Sequence, residues 1–108
     1  MPELDVIHEA LSAAKIATDD MVNNNPNQWY PCGFAMIRLR PARGRFVDAM
    51  KHLSLGRSDD YEGGYIFANP GKNNTQWMDA KIEGAKAFVH VVKKHFPDIN
   101  IRVESRID

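Results

Sequence analysis

Cys32 is the only cysteine in the chain, set in Pro31-Cys32-Gly33 at the start of an apolar run. A thiol in that position acts as a nucleophile when a neighbouring base, most often histidine, takes its proton. The chain has four histidines, His8, His52, His90 and His95, and no spacing ties any of them to Cys32. A lone thiol more often packs as a small hydrophobe. Cys32 is thus a weak catalytic candidate, and the sequence leans away from an enzyme. Gly71-Lys72-Asn73-Asn74-Thr75 lies between an expected strand and an expected helix, where phosphate loops sit. That motif requires glycine where Ile66 stands and a hydroxyl where Asn73 stands, so a capped turn is expected instead. His8-Glu9-Ala10-Leu11 opens like a zinc-protease helix, but Ser12 replaces the second histidine. His90 and His95 are spaced for different faces of a helix. Asp59-Asp60-Tyr61-Glu62-Gly63 lacks the alternating oxygen ligands of a calcium loop. No metal site and no cofactor is expected.

The more informative groups are arginines. Arg38, Arg40, Arg43 and Arg45 are close in sequence, and Arg102 and Arg106 fall on the polar side of the last apolar-polar alternation. On an open sheet face these arginines would share the surface with Tyr65 and Phe67, or with Ile66 and Ala68; the short strand leaves both pairs open. Arginines beside exposed aromatics can pair phosphates and stack bases, as in sheet-based single-stranded nucleic-acid binders. Fourteen basic and fourteen acidic side chains cancel, however, and such binders usually carry a basic excess. The rival expectation is a solvated face, neutralised in part by Glu104, or a face used in dimer contacts. Balanced charge removes a barrier to self-association. The first expectation is therefore a protein that acts by self-association or protein interaction, most simply a homodimer. Nucleic-acid binding through the arginine face is the second, and Cys32 chemistry the last.

The elements that would position these residues follow from periodicity. Met78, Ile82, Ala85, Val89, Val92 and Phe96, widened by Trp77, Phe88 and Val91, form the apolar stripe of a helix over Thr75–Phe96. Asn73 with Gln76, or Asn74 or Thr75, is placed to cap it. Lys93, Lys94 and His95 suit its last turn, and Pro97 ends it. Leu4, Ile7, Leu11, Ala14, Thr18 and Met21 predict a first helix that ends near Asn23, before the breaker Asn23-Asn24-Asn25-Pro26-Asn27. Trp29-Tyr30-Pro31 should be extended. Gly33–Arg40 alternates as a strand that Pro41 stops, and Phe46, Met50 and Leu53 mark a short helix ended by Gly56. Arg57–Gly64 is expected as a surface loop, Tyr65–Asn69 as a short strand, and Ile99, Ile101 and Val103 as the apolar side of the last strand.

The order α-β-α-β-α-β predicts an α/β chain, with α+β admitted: a two-layer sandwich with helices mainly on one face of a three-stranded sheet. Strand-helix-strand crossovers favour parallel strands in the order 1-2-3. The length of Ser54–Gly64 also permits a reversal and hence a mixed sheet. The 108 residues form one domain, with an N-terminal helix over 1–24 and an α/β unit over 29–108. No apolar run reaches membrane-span length, and Met1-Pro2-Glu3 lacks the features of a signal peptide, so no membrane partner and a cytoplasmic location are expected.

Trp29-Tyr30-Pro31-Cys32-Gly33-Phe34-Ala35, Ala80-Lys81-Ile82-Glu83-Gly84-Ala85-Lys86-Ala87-Phe88 and Ser105-Arg106-Ile107-Asp108 resemble small uncharacterised proteins of tailed phages and their environmental relatives. The resemblance covers roughly residues 29–108. It implies the cytoplasm of an infected bacterium and carries over no activity and no functional residue.

Overall fold

The computed structural model describes residues 2–25 and 31–107. Its elements are α1 (Pro2–Asn23), β1 (Gly33–Arg40), α2 (Arg45–His52), β2 (Arg57–Ser58), β3 (Tyr65–Ala68), α3 (Met78–His95) and β4 (Asn100–Ile107). Trp29 and Tyr30, expected to be extended, lie outside the described residues, as do Pro26 and Asn27 of the breaker.

The chain is an α/β fold with its helices packed on one side of a four-stranded sheet. The sheet is neither three-stranded nor parallel. Its order is β2-β3-β1-β4, and every neighbouring pair is antiparallel. The expected order 1-2-3 is corrected too, since the first strand lies between the other two long strands. The reason is the segment after α2, which does more than loop. Arg57 and Ser58 pair with Ile66 and Tyr65 as a short hairpin. Gly63 and Gly64, at φ 81° and 80°, take the left-handed conformation that closes its turn. The hairpin brings β3 back antiparallel to β1. α3 then carries the chain across β1, so β3 and β4 run parallel to each other with β1 between them, a split β-α-β arrangement.

β1 has the predicted bounds and alternation. Ala35, Ile37 and Leu39 are buried beneath the helices, and Val103 and Ile101 of β4 stand opposite Ile37 and Leu39. β4 runs three residues past the predicted alternation, through Ser105-Arg106-Ile107. α3 lies over β1 and β4 with Phe88, Ala85 and Val92 fully buried, Phe88 meeting Phe67 edge-on at 5.8 Å. Burying a side chain such as Phe88 contributes roughly 1.5–3 kcal/mol. Ile82 and Val89, central to the predicted stripe, are only partly buried.

A second contact explains that shift, because α3 also packs against α1. Ala10, Ala14 and Thr18 recur every four residues on α1 and are fully buried, with Ala14 and Thr18 against Gly84 of α3 and Thr18 also against Ala80. A Cβ on Gly84 would lie 2.1 Å from Thr18 Oγ1 and 3.2 Å from the Ala14 carbonyl oxygen, so the crossing needs glycine there. Thr18 Oγ1 donates to the Ala80 carbonyl at 3.1 Å, which satisfies the buried hydroxyl. Small residues let the two backbones approach closely. A reading by hydrophobicity alone centres the stripe on the larger side chains and misses this face.

α3 starts three residues later than predicted. Asn73 Oδ1 accepts from the Thr75 backbone N–H at 2.8 Å, and Thr75 Oγ1 from that of Trp77 at 3.1 Å. Two of the cap candidates, Asn73 and Thr75, are thus used in turns ahead of the helix. Trp77 forms an isolated bridge with Cys32 and is the N-cap position, with no side-chain cap bond. No helix among the described residues is long and apolar enough to cross a membrane.

Candidate functional site

Among the described residues, the face of the sheet away from α1, α2 and α3 carries no helix. Its side chains follow from the register. Arg38 stands between Ile66 on β3 and Arg102 on β4, Met36 between Ala68 and Glu104, and Phe34 opposite Arg106. Of the two pairs left open on β3, Ile66 and Ala68 share the arginine face. Tyr65 and Phe67, named as candidates for that face, belong to the helix side. They are 2% and 8% exposed in the core. Tyr65 keeps its hydroxyl satisfied by donating to the Leu55 carbonyl, and burial pushes its pKa up.

The centre of the open face is Arg38, and it is not open. Arg38 is 3% exposed. Its Nε donates to Glu104 Oε2 at 2.8 Å, Nη1 to Asp59 Oδ2 at 2.7 Å and to the Gly63 carbonyl, and Nη2 to Glu62 Oε2 at 3.3 Å. A guanidinium has five N–H donors, so these four bonds nearly exhaust it. The turn after β2 is folded to deliver them. Asp59 Oδ1 accepts from the backbone N–H groups of Tyr61 and Glu62, which aims Oδ2 at Arg38. Arg102 Nε adds a contact to Glu104 at 3.0 Å. Arg38 holds the Glu104 and Asp59 carboxyls below their ordinary pKa range, and Glu104 above all raises that of Arg38. A phosphate would have to displace a carboxylate to reach this guanidinium. The stretch expected as a solvated loop is the roof of the open face.

Beside this network lies a groove of about 360 Å³ lined by Met36, Ile66, Arg57, Arg106 and the Asp59–Glu62 turn. Tyr61 projects from the turn at 99% exposure. Arg57 and Arg106 make no ion pair among the described residues. Arg40 is set apart from Arg38: it lines a second cavity at the far end of β1, with Arg43 and Arg45. The structure thus groups Arg38, Arg102 and Arg106 on one surface and separates Arg40 from them.

Cys32 is exposed at the lip of β1, and its side chain has no histidine bonded to it among the described residues. Glu9, from the zinc-like stretch, instead pairs with Lys94 at 3.1 Å and His95 at 3.0 Å across α1 and α3, which lowers its pKa. Gly71, from the phosphate-like stretch, is buried against Thr18, well before the helix begins. Among the described residues no group of His, Cys, Asp and Glu side chains is arranged to hold a metal ion. Sequence reasoning missed Asp59 and Glu62 as partners of Arg38. The one available signal was an arginine inside an apolar strand, which needs acids from elsewhere in the chain when buried.

The site defines a small α/β protein whose helix-free sheet face is closed at its centre by an internal ion network and bordered by an edge strand. No protein-family model, no curated protein and no solved structure matches the chain.

Proposed function

We propose that the protein acts by self-association, forming a two-fold homodimer through the outer edge of β4. The observation that carries this reading is the eight-residue length of β4, Asn100–Ile107, which among the described residues pairs only with β1 and has its other edge unpaired. Such an edge is a template for strand addition. Antiparallel pairing of two copies of β4 about Val103 sets Arg102 opposite Glu104 of the second copy, and Glu104 opposite its Arg102. Shifting the register by two residues in total sets like charges opposite each other, as Glu104 on Glu104 or Arg102 on Arg102. Charge complementarity therefore favours one register, and cross-strand pairs of this kind set pairing. Zero net charge offers no global repulsion to oppose it. The resemblance to tailed-phage proteins supports an accessory role for such a dimer in an infected bacterial cytoplasm.

Size exclusion with light scattering should give twice the chain mass at high micromolar concentration; a monomer there refutes self-association. Arg102→Glu should yield a folded monomer, because it opposes two acids across the axis. A dimer that survives this change would keep self-association and discard the β4 register.

A second reading has its own observation. Arg57 and Arg106, unpaired among the described residues, flank the groove beneath the exposed ring of Tyr61. Cations beside a free aromatic suit a single-stranded nucleic acid, although Asp59 and Glu62 in the same groove repel phosphate. A labelled oligonucleotide titrated at low and moderate salt tests it. Binding that falls steeply with salt and weakens in Arg106→Ala supports nucleic-acid binding; no binding at low salt removes it.

A further inference from the structure

The second cavity, about 320 Å³, lies at the far end of β1 between the start of α1, the Pro41–Gly44 link, the start of α2 and the link from α3 to β4. Its wall is apolar. Phe46 and Phe96 meet edge-on at 6.1 Å, with Leu39, Val47 and Ile99 beside them. Its charged groups are Glu3, Arg40, Arg43, Arg45 and Asp98.

Two of these are buried and unsatisfied: Glu3 Oε1 and Arg40 Nε have no hydrogen-bond partner among the described residues. Glu3 is 7% exposed, and the one cation paired with it among the described residues, Arg45 Nη2, is 3.6 Å away, beyond hydrogen-bond distance. Arg45 is itself 76% exposed along its side chain, so it does not enclose the carboxylate. Asp5, in the same first turn of α1, points to solvent, so the start of the helix does not force its acids inward. A buried carboxylate oxygen without a donor is costly, and native proteins leave few such groups. The cavity is therefore lined by a carboxylate with an oxygen unpaired among the described residues, by arginines and by an apolar wall.

We propose that this cavity binds a small apolar monocarboxylate that also carries an N–H donor. The donor satisfies Glu3, the carboxylate is taken by Arg40 and Arg43, and the apolar body lies on Phe46 and Phe96. Charge selects the anion. Three arginines against two carboxylates leave one positive charge, which a carboxylate neutralises, whereas a phosphate monoester carries nearly two negative charges at neutral pH. The volume lies near the lower limit, roughly 300 Å³, of small-molecule sites, so the ligand is small. This inference is independent of self-association through β4.

N-acetylphenylalanine has all three features. N-acetylphenylalaninamide lacks the anion, and 3-phenylpropionate lacks the N–H group. In backbone amide NMR titrations of the full chain, N-acetylphenylalanine should give saturable shifts around Phe46, Phe96 and Ile99 with a Kd of about 1 mM. The two controls should bind about tenfold more weakly. Arg43→Ala, at an exposed position, should weaken N-acetylphenylalanine but not its amide. Glu3→Gln should reduce the preference over 3-phenylpropionate; if Glu3→Gln does not fold, the Arg43→Ala comparison stands alone. The proposal is overturned by no saturable shift at about 20 mM, by shifts that map elsewhere, by equal binding of the amide, or by tighter binding of phenyl phosphate.

Discussion

Arg38 and Arg40 leave β1 two residues apart, on the same face of the strand, and meet opposite surroundings. Arg38 stands in mid-sheet between Ile66 and Arg102, under a turn that supplies Asp59, Glu62 and the Gly63 carbonyl. Arg40 stands opposite Asn100, one residue past the end of the β1–β3 pairing at Leu39, and its Nε has no partner among the described residues. The first guanidinium is saturated from within the chain, and its role is to tie turn, sheet and β4 together. The second faces a cavity with another unsatisfied group, Glu3. The contrast teaches that clustering of arginines in sequence says little about binding. What matters is whether the fold has already filled their donors.

Three experiments break or sharpen this contrast. The largest effect is expected at Arg38. Arg38→Met leaves Asp59, Glu62 and Glu104 crowded without their shared cation and should cost about 3 kcal/mol in urea denaturation. Arg38→Glu adds a fourth acid and should be worse still, so it cannot test binding in an otherwise intact fold. A loss below about 1 kcal/mol for Arg38→Met would mean that this network behaves like an exposed ion pair.

Acid should dissolve the same network. The Asp59 and Glu104 carboxyls lie below their ordinary values of 3.8 and 4.5 because Arg38 favours their charged forms. Their contribution is therefore complete above those ordinary values and is lost as pH falls through the lowered ones. Denaturation midpoints should drop below about pH 4, and this acid limb should be shallower in Arg38→Met. Identical acid limbs in the two proteins would assign the loss to other carboxylates, Glu9 and Asp19 among them, whose pKa values are also lowered.

The smallest effect belongs to the unsaturated cluster. Arg43→Ala should change stability by no more than about 0.5 kcal/mol, since Arg43 is exposed and makes no ion pair among the described residues. A larger loss would show that Arg43 supports the fold, and the distinction between the two ends of β1 would fail.

Much of this was legible from residue order. The bounds of α1 and β1, the short α2, the basic end of α3 and the inward set Ala35, Ile37 and Leu39 follow from periodicity and from Pro41 and Pro97. These are local effects, written within one or two turns of chain. Strand order was not legible, because parallel and reversed connections are both compatible with a segment as long as Ser54–Gly64. The Asp59–Glu62 turn read as a solvated loop for a similar reason. An acid that faces water and one that faces a buried arginine look the same until the partner, 21 residues away for Asp59, is placed.

The sequence by itself determined the three helices, the strands β1, β3 and β4, and which residues of β1 and β4 face inward, since those depend on side-chain spacing along a few residues. Only the tertiary structure decided the rest. It set β1 between β3 and β4, turned Tyr65 and Phe67 into the core, pressed Gly84 against Thr18, and brought Glu3 and Arg40 to one cavity. Each of these joins residues far apart in the chain, and which distant groups meet is chosen by the packing of the whole domain rather than by any local pattern.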